Sequence, residues 1–361
     1  MAVLGTRPEA IKMCPVIIEF KKRKNVDLYV CITGQHREML RSVLDIFGVR
    51  ADCDLDIMKE GQSLADITKA VLDGISEVLE REKPDVVLVH GDTTTAFAAS
   101  LACFYKKIPV GHVEAGLRTY DVYSPYPEEF NRRAIDITAS YLFAPTRLSA
   151  ENLLREGADE NSIFVTGNTA IDALRLTVRE EYSSPITEAA AGKRIILLTA
   201  HRRESHGEAL RGIFRAVRRI ADEFDDVMIV YPVHPNPVVR AAAEETLSGH
   251  ERIMLTEPLD VITFHNLMAK SRFIMTDSGG IQEEAPSLGK PVLVLRDVTE
   301  RPEGVEAGTL RIVGTDEEKV YLACKNLLCN DAEYAEMSSA ENPYGDGKAS
   351  RRIADALLSE V

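Results

Sequence analysis

The 361-residue chain lacks several features that would assign it to a class at once. It has no apolar run close to the ~18 residues of a membrane span, and no charged-then-apolar start of the kind that marks a signal peptide. Its six cysteines include no C-x-x-C pair, which disfavours a zinc knuckle or a disulfide framework. We therefore expect free thiols, a cytoplasmic location and no membrane partner.

Patterns typical of nucleotide cofactors and metals are missing as well. The chain contains neither G-x-G-x-x-G nor a Walker loop, so the sequence predicts no NAD site and no ATP phosphate site. Residues 52–63 begin like a calcium loop, but Ile57 and Ser63 stand where such a loop requires glycine and glutamate. We expect no cofactor and no metal.

The chain carries fewer positively than negatively charged side chains. Lysine and arginine number 43 against 57 aspartates and glutamates, which gives a formal net charge of −14. The average surface would repel a polyanion, so nucleic acid is not an expected partner. A small acidic ligand would need a local basic patch, for which the chain offers residues 5–12, 132–133 and 201–203.

Short runs of valine, isoleucine and leucine alternate with amphipathic helical stretches along most of the chain. Several runs are continuously apolar, as in strands that are covered on both faces of a parallel sheet. The predicted strands lie at residues 2–4, 26–32, 85–89, 109–113, 140–143, 163–165, 194–199, 227–231, 252–255, 272–275 and 291–295. The pattern predicts an α/β fold with two doubly wound, Rossmann-like domains, at residues 1–180 and 181–345. A ligand is expected in the cleft between them, at the carboxyl ends of the strands.

Residues 277–284, Asp-Ser-Gly-Gly-Ile-Gln-Glu-Glu, are the most informative segment. They follow the apolar run 273–275 and open a helix, whose free N–H groups attract an anion. Gly279 and Gly280 let a ligand approach the backbone closely. Glu284 lies within reach of neighbouring sugar hydroxyls, so the segment predicts a phosphate-and-ribose site.

Carboxylates follow two strands in the first half of the chain. Asp92 comes after the strand at 85–89, and Glu114 ends the strand at 109–113. Such a pair can act as acid and base if its surroundings separate the two pKa values. Asp92 alone is equally explained as a helix N-cap, but two carboxylates beside a phosphate site favour chemistry.

Other charged residues leave two interpretations open. Arg7 and Lys12 flank a helix start and could face either an anion or solvent. Glu128 and Arg132 are spaced i, i+4, which fits either a site contact or a surface ion pair. His201, beside two arginines at a strand end, is either a phosphate or sugar contact or a capping group.

Eleven segments, in a fixed order, carry a resemblance to a known family. They are GTRPEAIKM (5–13), QHREML (35–40), KPDVVLVHGDTTT (83–95), PVGHVEAGLRT (109–119), SPYPEEFNR (124–132), TGNTAIDAL (166–174), HRRES (201–205), YPVHPNP (231–237), TDSGGIQEEAPSLGKPVLVLRD (276–297), TERPEG (299–304) and NPYGDG (342–347). Over essentially its whole length the chain resembles the non-hydrolysing UDP-N-acetylglucosamine 2-epimerases.

The resemblance implies a fold, a reaction and an assembly. The fold is GT-B-like, with a C-terminal helix in residues 346–361 that returns to the first domain, and the usual assembly is a homodimer. The reaction interconverts UDP-GlcNAc and UDP-ManNAc without NAD or metal, and its product serves cell-surface polysaccharide synthesis. UDP is eliminated across C1–C2 to give 2-acetamidoglucal, and is then added back with the proton on the other face of C2.

The resemblance also implies roles for the residues that match the family's motifs. The catalytic group comprises Asp92, Glu114, Glu128 and His201. The residues that contact the UDP-sugar are Arg7, Lys12, Arg132, His234, Phe264, Ser278, Gly279, Gly280, Glu284 and Arg301. A second, activating UDP-GlcNAc would use Gln35, His36 and Arg202. Some regulated members have Gln and Arg where this chain has Glu38 and Gly61, so regulation stays an open hypothesis.

Three other activities are compatible with the same motifs. A hydrolysing 2-epimerase would release free ManNAc and UDP. A GT-B glycosyltransferase would share the phosphate-binding segment but would need an acceptor. A UDP-sugar-binding regulator would bind the ligand without turnover and would have no need of carboxylates at several strand ends.

Overall fold

The computed structural model describes residues 1–34, 37–59 and 61–360. Within them the chain forms two compact α/β units. The first consists of Met1–Leu176 together with Tyr344–Val361, and the second of Thr177–Pro343. Each unit has its own parallel sheet and its own buried core.

The first unit alternates strands and helices. Its strands are β1 (Ala2–Leu4), β2 (Val30–Ile32), β3 (Cys53–Asp54), β4 (Val87–His90), β5 (Val110–Val113), β6 (Tyr141–Ala144) and β7 (Ile163–Val165). Its helices are α1 (Arg7–Lys21), α2 (Arg37–Ile46), α3 (Leu64–Glu82), α4 (Thr94–Lys106), α5 (Glu128–Thr138), α6 (Arg147–Arg155) and α7 (Thr169–Thr177). The strands lie in the order β3-β2-β1-β4-β5-β6-β7, and neighbouring strands are parallel.

The second unit repeats this organisation. Its strands are β8 (Arg194–Thr199), β9 (Val227–Pro232), β10 (Ile253–Thr256), β11 (Phe273–Thr276), β12 (Val292–Val294) and β13 (Leu310–Ile312). Its helices are α8 (Pro185–Ala189), α9 (Glu208–Glu223), α10 (Pro237–Leu247), α11 (Val261–Lys270), α12 (Gly279–Glu284), α13 (Pro302–Glu306), α14 (Glu317–Cys329) and α15 (Asp331–Ser339). The parallel order is β10-β9-β8-β11-β12-β13.

The last helix, α16 (Ala349–Glu360), belongs to the first unit and packs on α1. Ile353 and Leu357 are buried in the core that α1 also enters. Asp172 of α7 accepts hydrogen bonds from the first two backbone N–H groups of α16, at 3.1 and 2.8 Å. The carboxylate thereby satisfies donors that a helix N-terminus otherwise leaves unpaired.

The core of the first unit covers both faces of its sheet. Along β1, Ala2 and Leu4 pack with α1, α2 and α16, whereas Val3 packs with α3, α4 and α5. All three side chains are at most 1% exposed. Alternate residues of a strand point to opposite faces, so a strand buried on both sides is apolar throughout.

Both sheets reverse their strand order beside their first strand. The reversal lies between β1 and β4 in one unit and between β8 and β11 in the other. Ligands of open α/β sheets bind at such points, outside the carboxyl ends of the strands. The segments that follow these four strands start at Gly5, Gly91, Ala200 and Asp277.

Two edge strands, β3 and β13, are absent from the strands that the sequence predicts. Cys53 and Asp54 of β3 are half-buried, and in β13 only Leu310 is fully buried. Neither strand therefore shows a continuous apolar run.

No helix in the described part of the chain is both long and apolar enough to cross a membrane.

Candidate active site

Glu114 follows β5, and its two carboxylate oxygens have different surroundings. Lys12 Nζ and Asn168 Nδ2 both donate to Oε1, the amide at 3.2 Å. His90 Nε2 lies 3.8 Å from Oε2. The Glu114 backbone has a φ of +70°, a left-handed conformation that costs a residue with a side chain about 1–3 kcal/mol. The fold thus holds this carboxylate in one place against local strain.

Asp92 follows β4 and is held by residues of α5. Arg132 forms an ion pair with the Asp92 carboxylate, and Asn131 Nδ2 donates to the Asp92 backbone carbonyl at 2.9 Å. Arg132 also donates to Glu129 at 3.3 Å. Arg132 is 8% exposed, so its interpretation as part of a surface ion pair is wrong. Glu128 opens α5 one residue before the buried Glu129.

The segment after β1 is connected to the Asp92 turn by Glu9. Its carboxylate accepts from the backbone N–H groups of Gly5 and Thr6, at 3.1 and 2.7 Å, and from Thr93 Oγ1, at 2.9 Å. Burial raises the pKa of Glu9 to about 7, although these hydrogen bonds oppose the rise. Position 5 has to be glycine because a Cβ there would collide with the side chain of Thr95.

His112 lies within β5 and forms a buried network. Its Nδ1 is 2.6 Å from Asp136 Oδ1, and its Nε2 is 2.7 Å from the Gly91 carbonyl oxygen. Arg118 NH2 lies 2.7 Å from the other Asp136 oxygen. Burial would raise the pKa of Asp136, but the positive charges of His112 and Arg118 hold it below its usual value. Both ring nitrogens of His112 therefore lie within hydrogen-bond distance of an oxygen atom.

In the second unit, Asp277 joins the segments that follow β8 and β11. The 1%-exposed carboxylate accepts from the backbone N–H groups of His201 and Arg202, at 2.6 and 2.7 Å. The ring of His201 stacks on that of His234, with centroids 4.9 Å apart and planes 6° apart. Burial, with a contribution from His201, lowers the pKa of His234. Both imidazoles are thereby placed beside the start of α12.

The N-terminus of α12 lies beside the Arg301 guanidinium. Ser278 is the N-cap, so the N–H groups of Gly279 and Gly280 belong to the first turn, which leaves such donors unpaired within the helix. A Cβ on Gly279 would lie 3.0 Å from the Arg301 guanidinium carbon. Glu283 accepts from this guanidinium at 2.9 and 2.8 Å. Backbone donors and a fixed positive charge therefore lie side by side.

Glu284 lies near His265 of α11, the residue that follows Phe264. His265 Nε2 lies 3.8 Å from Glu284 Oε2, and its Nδ1 is 2.7 Å from Thr177 Oγ1. Phe264 is partly buried against the core of the second unit. The Glu284 carboxylate and the Phe264 ring are thus both connected to α11.

The family follows from comparison with known proteins. A family model described as UDP-N-acetylglucosamine 2-epimerase matches residues 18–358. The chain belongs to this epimerase family. The Bacillus subtilis (strain 168) UDP-N-acetylglucosamine 2-epimerase is 60% identical over 358 residues, which cover 99% of this chain and 94% of the relative.

Solved structures of epimerase relatives have the same fold. S. aureus MnaA in a co-structure with UDP shares 54% identity at a TM-score of 0.92, covering 100% of this chain and 96% of that one. The Neisseria meningitidis UDP-GlcNAc 2-epimerase bound to UDP-GlcNAc shares 49% identity at a TM-score of 0.92, covering 99% of each chain. The family and the GT-B-like fold class predicted from the motifs are confirmed.

Asp92, Glu114 and Ser278 lie just after the strands β4, β5 and β11, as predicted, whereas two other predicted residues lie outside the described part of the chain. Gln35 and His36, proposed for an effector, lie outside the described residues. Arg202, proposed with them, donates from Nε to the Asp277 carbonyl at 3.2 Å. Within the described residues, no group of three or more His, Cys, Asp or Glu side chains could hold a metal ion.

Several buried partners of the epimerase site were missed from the sequence. Two of them are on α5, where Glu129 and Asp136 lie three residues before and four residues after the predicted Arg132, and all three are buried. This spacing marks one face of a helix, and charged residues on a buried face are a signal of a polar network. Glu9 gave no such signal, because its donors include the backbone N–H groups of Gly5 and Thr6.

Proposed function

We propose that this protein is a non-hydrolysing UDP-N-acetylglucosamine 2-epimerase that interconverts UDP-GlcNAc and UDP-ManNAc. The observation that carries the proposal is Glu114, a strained carboxylate whose side chain is 10% exposed, with one oxygen on donors and the other beside a histidine. Relatives that bear the epimerase name at 50–60% identity over nearly the whole chain support the reaction.

The second unit is proposed to bind the UDP moiety. The N–H groups at the start of α12, the Ser278 hydroxyl and Arg301 stabilise the pyrophosphate as it leaves, since developing negative charge is favoured by fixed donors. His201 and His234 contact the phosphates or the sugar. Glu284 accepts from the ribose hydroxyls, and Phe264 contacts uracil. Relatives whose structures contain UDP or UDP-GlcNAc support a UDP-sugar as the ligand of this chain.

The first unit is proposed to move the proton at C2. This proton becomes acidic as the C1–O bond breaks and positive charge grows on the ring, so departure of UDP and deprotonation assist each other. Inversion requires transfer on two opposite faces, and therefore at least two groups. Asp92, Glu114 and Glu128 are the proposed groups. Arg7, Lys12 and Arg132 supply positive charge to the substrate or to these carboxylates.

Phosphorus and proton NMR of a UDP-GlcNAc incubation test the reaction. A non-hydrolysing enzyme produces UDP-ManNAc until the two nucleotide sugars reach a constant ratio. Accumulation of UDP with an equal amount of free ManNAc would instead identify the hydrolysing activity.

Glu114→Gln should lower turnover by about 10²–10⁴-fold, the usual contribution of a general acid or base. Glu160→Gln, on the exposed turn before β7, is the matched control and should keep the parental rate.

The assembly proposed for the enzyme is a homodimer. Large apolar side chains are exposed on α4 and α5, two helices that pack on each other. The residues are Phe104, Tyr105, Phe130 and Ile137, at 58, 66, 52 and 85% exposure. Exposed apolar patches of this kind mark interaction surfaces, and a second copy of the chain is the occupant that we propose.

The location and the regulation of the enzyme are also proposals. All six cysteines are free thiols, which suits a reducing cytoplasm. Activation by a second UDP-GlcNAc would involve Gln35, His36 and Arg202. A lag in reactions that start from pure UDP-ManNAc would support this activation if traces of UDP-GlcNAc abolish the lag. A hyperbolic rate curve without a lag would exclude it.

A further inference from the structure

Asp277 directly follows β11, and its two carboxylate oxygens have different surroundings. Oδ2 accepts from the backbone N–H groups of His201 and Arg202, at 2.6 and 2.7 Å. Oδ1 is buried, in a residue that is 1% exposed, and has no hydrogen-bond partner among the residues that the structure describes. A carboxylate that only fixed the loop after β8 would need Oδ2 alone. A buried polar atom normally has a partner, so Oδ1 calls for an explanation.

The side chain next to this oxygen is the ring of His201. The strands β8 and β11 are parallel neighbours, so the residues that follow them meet at one edge of the sheet. His201 Nδ1 lies 3.4 Å from Asp277 Oδ1. A carboxylate oxygen can only accept, so the contact favours a hydrogen on Nδ1 over a lone pair that would face a negative charge. Hydrogen bonds of catalytic groups are often long until the substrate is bound.

The other ring nitrogen of His201, Nε2, points away from Asp277, because the two N–H directions of an imidazole diverge. The side chain is 38% exposed. Asp277 itself directly precedes Ser278, the N-cap of α12, whose first N–H groups are proposed to bind the pyrophosphate. A ring that is held at Nδ1 by this carboxylate therefore has Nε2 available for the same anion.

The stacked pair of His201 and His234 has one preferred place for a positive charge. Two charged rings with centroids 4.9 Å apart would repel each other. Burial and the neighbouring His201 lower the pKa of His234, and His206 adds to this effect, against the opposing charge of Asp277. The charge therefore belongs on His201, whose Nδ1 faces the carboxylate.

We propose that Asp277 is a positioning residue that holds the Nδ1–H group of His201 on Oδ1, so that the Nε2–H group donates to a phosphate oxygen of the UDP-sugar. This role rests on the proposed function. Between a carboxylate and a phosphate, the ring carries both hydrogens and a positive charge. Negative charge grows on the phosphate as the C1–O electron pair leaves with UDP, and a fixed cation stabilises it. The C2 proton goes to a group of the first unit, and His201 keeps both of its hydrogens.

Nitrogen NMR of the whole protein, labelled with ¹⁵N-histidine, tests this arrangement without a change at position 277. The His201 signals are assigned from their absence in His201→Gln. At neutral pH we expect hydrogen on Nδ1 in the protein alone, and hydrogen on both nitrogens in the presence of saturating UDP. A bare Nδ1 in either sample, or a bare Nε2 in the presence of UDP, would overturn the proposal.

A double-mutant cycle tests whether Asp277 acts through His201. Asp277→Asn keeps an oxygen for the two backbone N–H groups but places an NH₂ group where Oδ1 faces the ring. We expect it to lower kcat/KM for UDP-GlcNAc by about tenfold or more, as for loss of a hydrogen bond to a charged group. In a His201→Gln background, where Asp277 has no ring to hold, the same change should lower kcat/KM by less than about threefold. Equal losses in both backgrounds would indicate a purely structural role and would overturn the proposal, and so would a parental rate in Asp277→Asn.

The control for removal of a carboxylate beside a histidine is Asp222→Asn, at the surface pair with His250, which should match the parent. Circular dichroism and the dissociation constant of UDP establish that each variant is folded and binds nucleotide. If Asp277→Asn does not fold, the nitrogen spectra of the parent decide the proposal. A parent that neither binds UDP nor converts UDP-GlcNAc would count against the proposed function. A parent that does both, but has a bare Nδ1 or equal losses in the cycle, would reject only the role of Asp277.

Discussion

Asp136 shows how one buried carboxylate organises the first unit's strand ends. It is 8% exposed and contacts both His112 and Arg118, at 2.6 and 2.7 Å. His112 in turn donates to the Gly91 carbonyl, in the residue before Asp92. The position of Asp92, a proposed catalytic carboxylate, therefore depends on the carboxylate of Asp136, which lies on α5.

Removal of that charge should be costly. Asp136→Asn removes the buried carboxylate that contacts His112 and Arg118, and of these two only Arg118 keeps another carboxylate, that of Glu156 at 2.7 Å. We expect a loss of about 3–5 kcal/mol in the free energy of unfolding. Asp222→Asn is the control, because it removes the acid of another His–Asp pair whose carboxylate is 60% exposed, where about 0–1 kcal/mol is expected. Denaturant titration of both variants measures the difference, and equal losses would contradict the importance of the buried pair.

Glu9 should make stability depend on pH. Its pKa is about 7 in the folded protein, raised by burial from an ordinary value of 4.5. Between these values the folded protein keeps a proton that the unfolded chain has released, so the contribution of Glu9 to stability falls as the pH rises from about 4.5 to about 7. Glu9→Gln does not titrate. The free energy of unfolding of the parent minus that of the variant should therefore decrease across this range, and a constant difference would contradict the raised pKa.

At the scale of elements, the two glycines of α12 provide a matched pair. A Cβ on Gly279 would lie 3.0 Å from the Arg301 guanidinium carbon, whereas nothing lies within 4 Å of one on Gly280. Gly279→Ala should displace Arg301 from Glu283 and cost about 1–3 kcal/mol, the usual cost of overpacking. Gly280→Ala should instead stabilise the helix by about 0.5–1 kcal/mol. Thermal unfolding of the two variants would contradict this view of α12 if both shifted in the same direction.

The central strands, which are buried on both faces, are all predicted from the sequence. The sequence shows β1, β4, β8 and β11 as apolar runs because alternate side chains of each strand are buried on opposite faces of its sheet. The edge strands β3 and β13 were missed because their residues are partly exposed. The residues at strand ends could be predicted because parallel strands place their carboxyl ends at one edge of the sheet. Partners such as Glu129 and Asp136 could not, since they depend on how α5 packs beside β4 and β5.

At the scale of the whole molecule, both units use the same strand order around their first strand. The proposed proton-transfer groups follow β4 and β5, and the proposed phosphate-binding groups follow β8 and β11. One topology thus presents two different chemistries, because the residues that follow the strands differ. In the first unit the strands are followed by carboxylates and cations, and in the second unit β11 is followed by a glycine-rich helix start.

The proposed homodimer can be tested on its most exposed apolar residue. Ile137 on α5 is 85% exposed, and Ile137→Asp would place a charge in an interface formed by this face. Light scattering after size exclusion should give a dimer for the parent and a monomer for the variant. Val238→Asp, at a 52%-exposed residue of α10 in the second unit, is the control and should remain dimeric. A monomeric parent would contradict the assembly.

The most direct test of the reaction is proton NMR of UDP-GlcNAc with the purified protein in deuterated buffer. Elimination of UDP and its re-addition should replace the hydrogen at C2 by deuterium in both UDP-GlcNAc and UDP-ManNAc, without accumulation of free UDP. Retention of the C2 hydrogen through prolonged incubation, in protein that is folded and has bound UDP, would contradict the proposed chemistry.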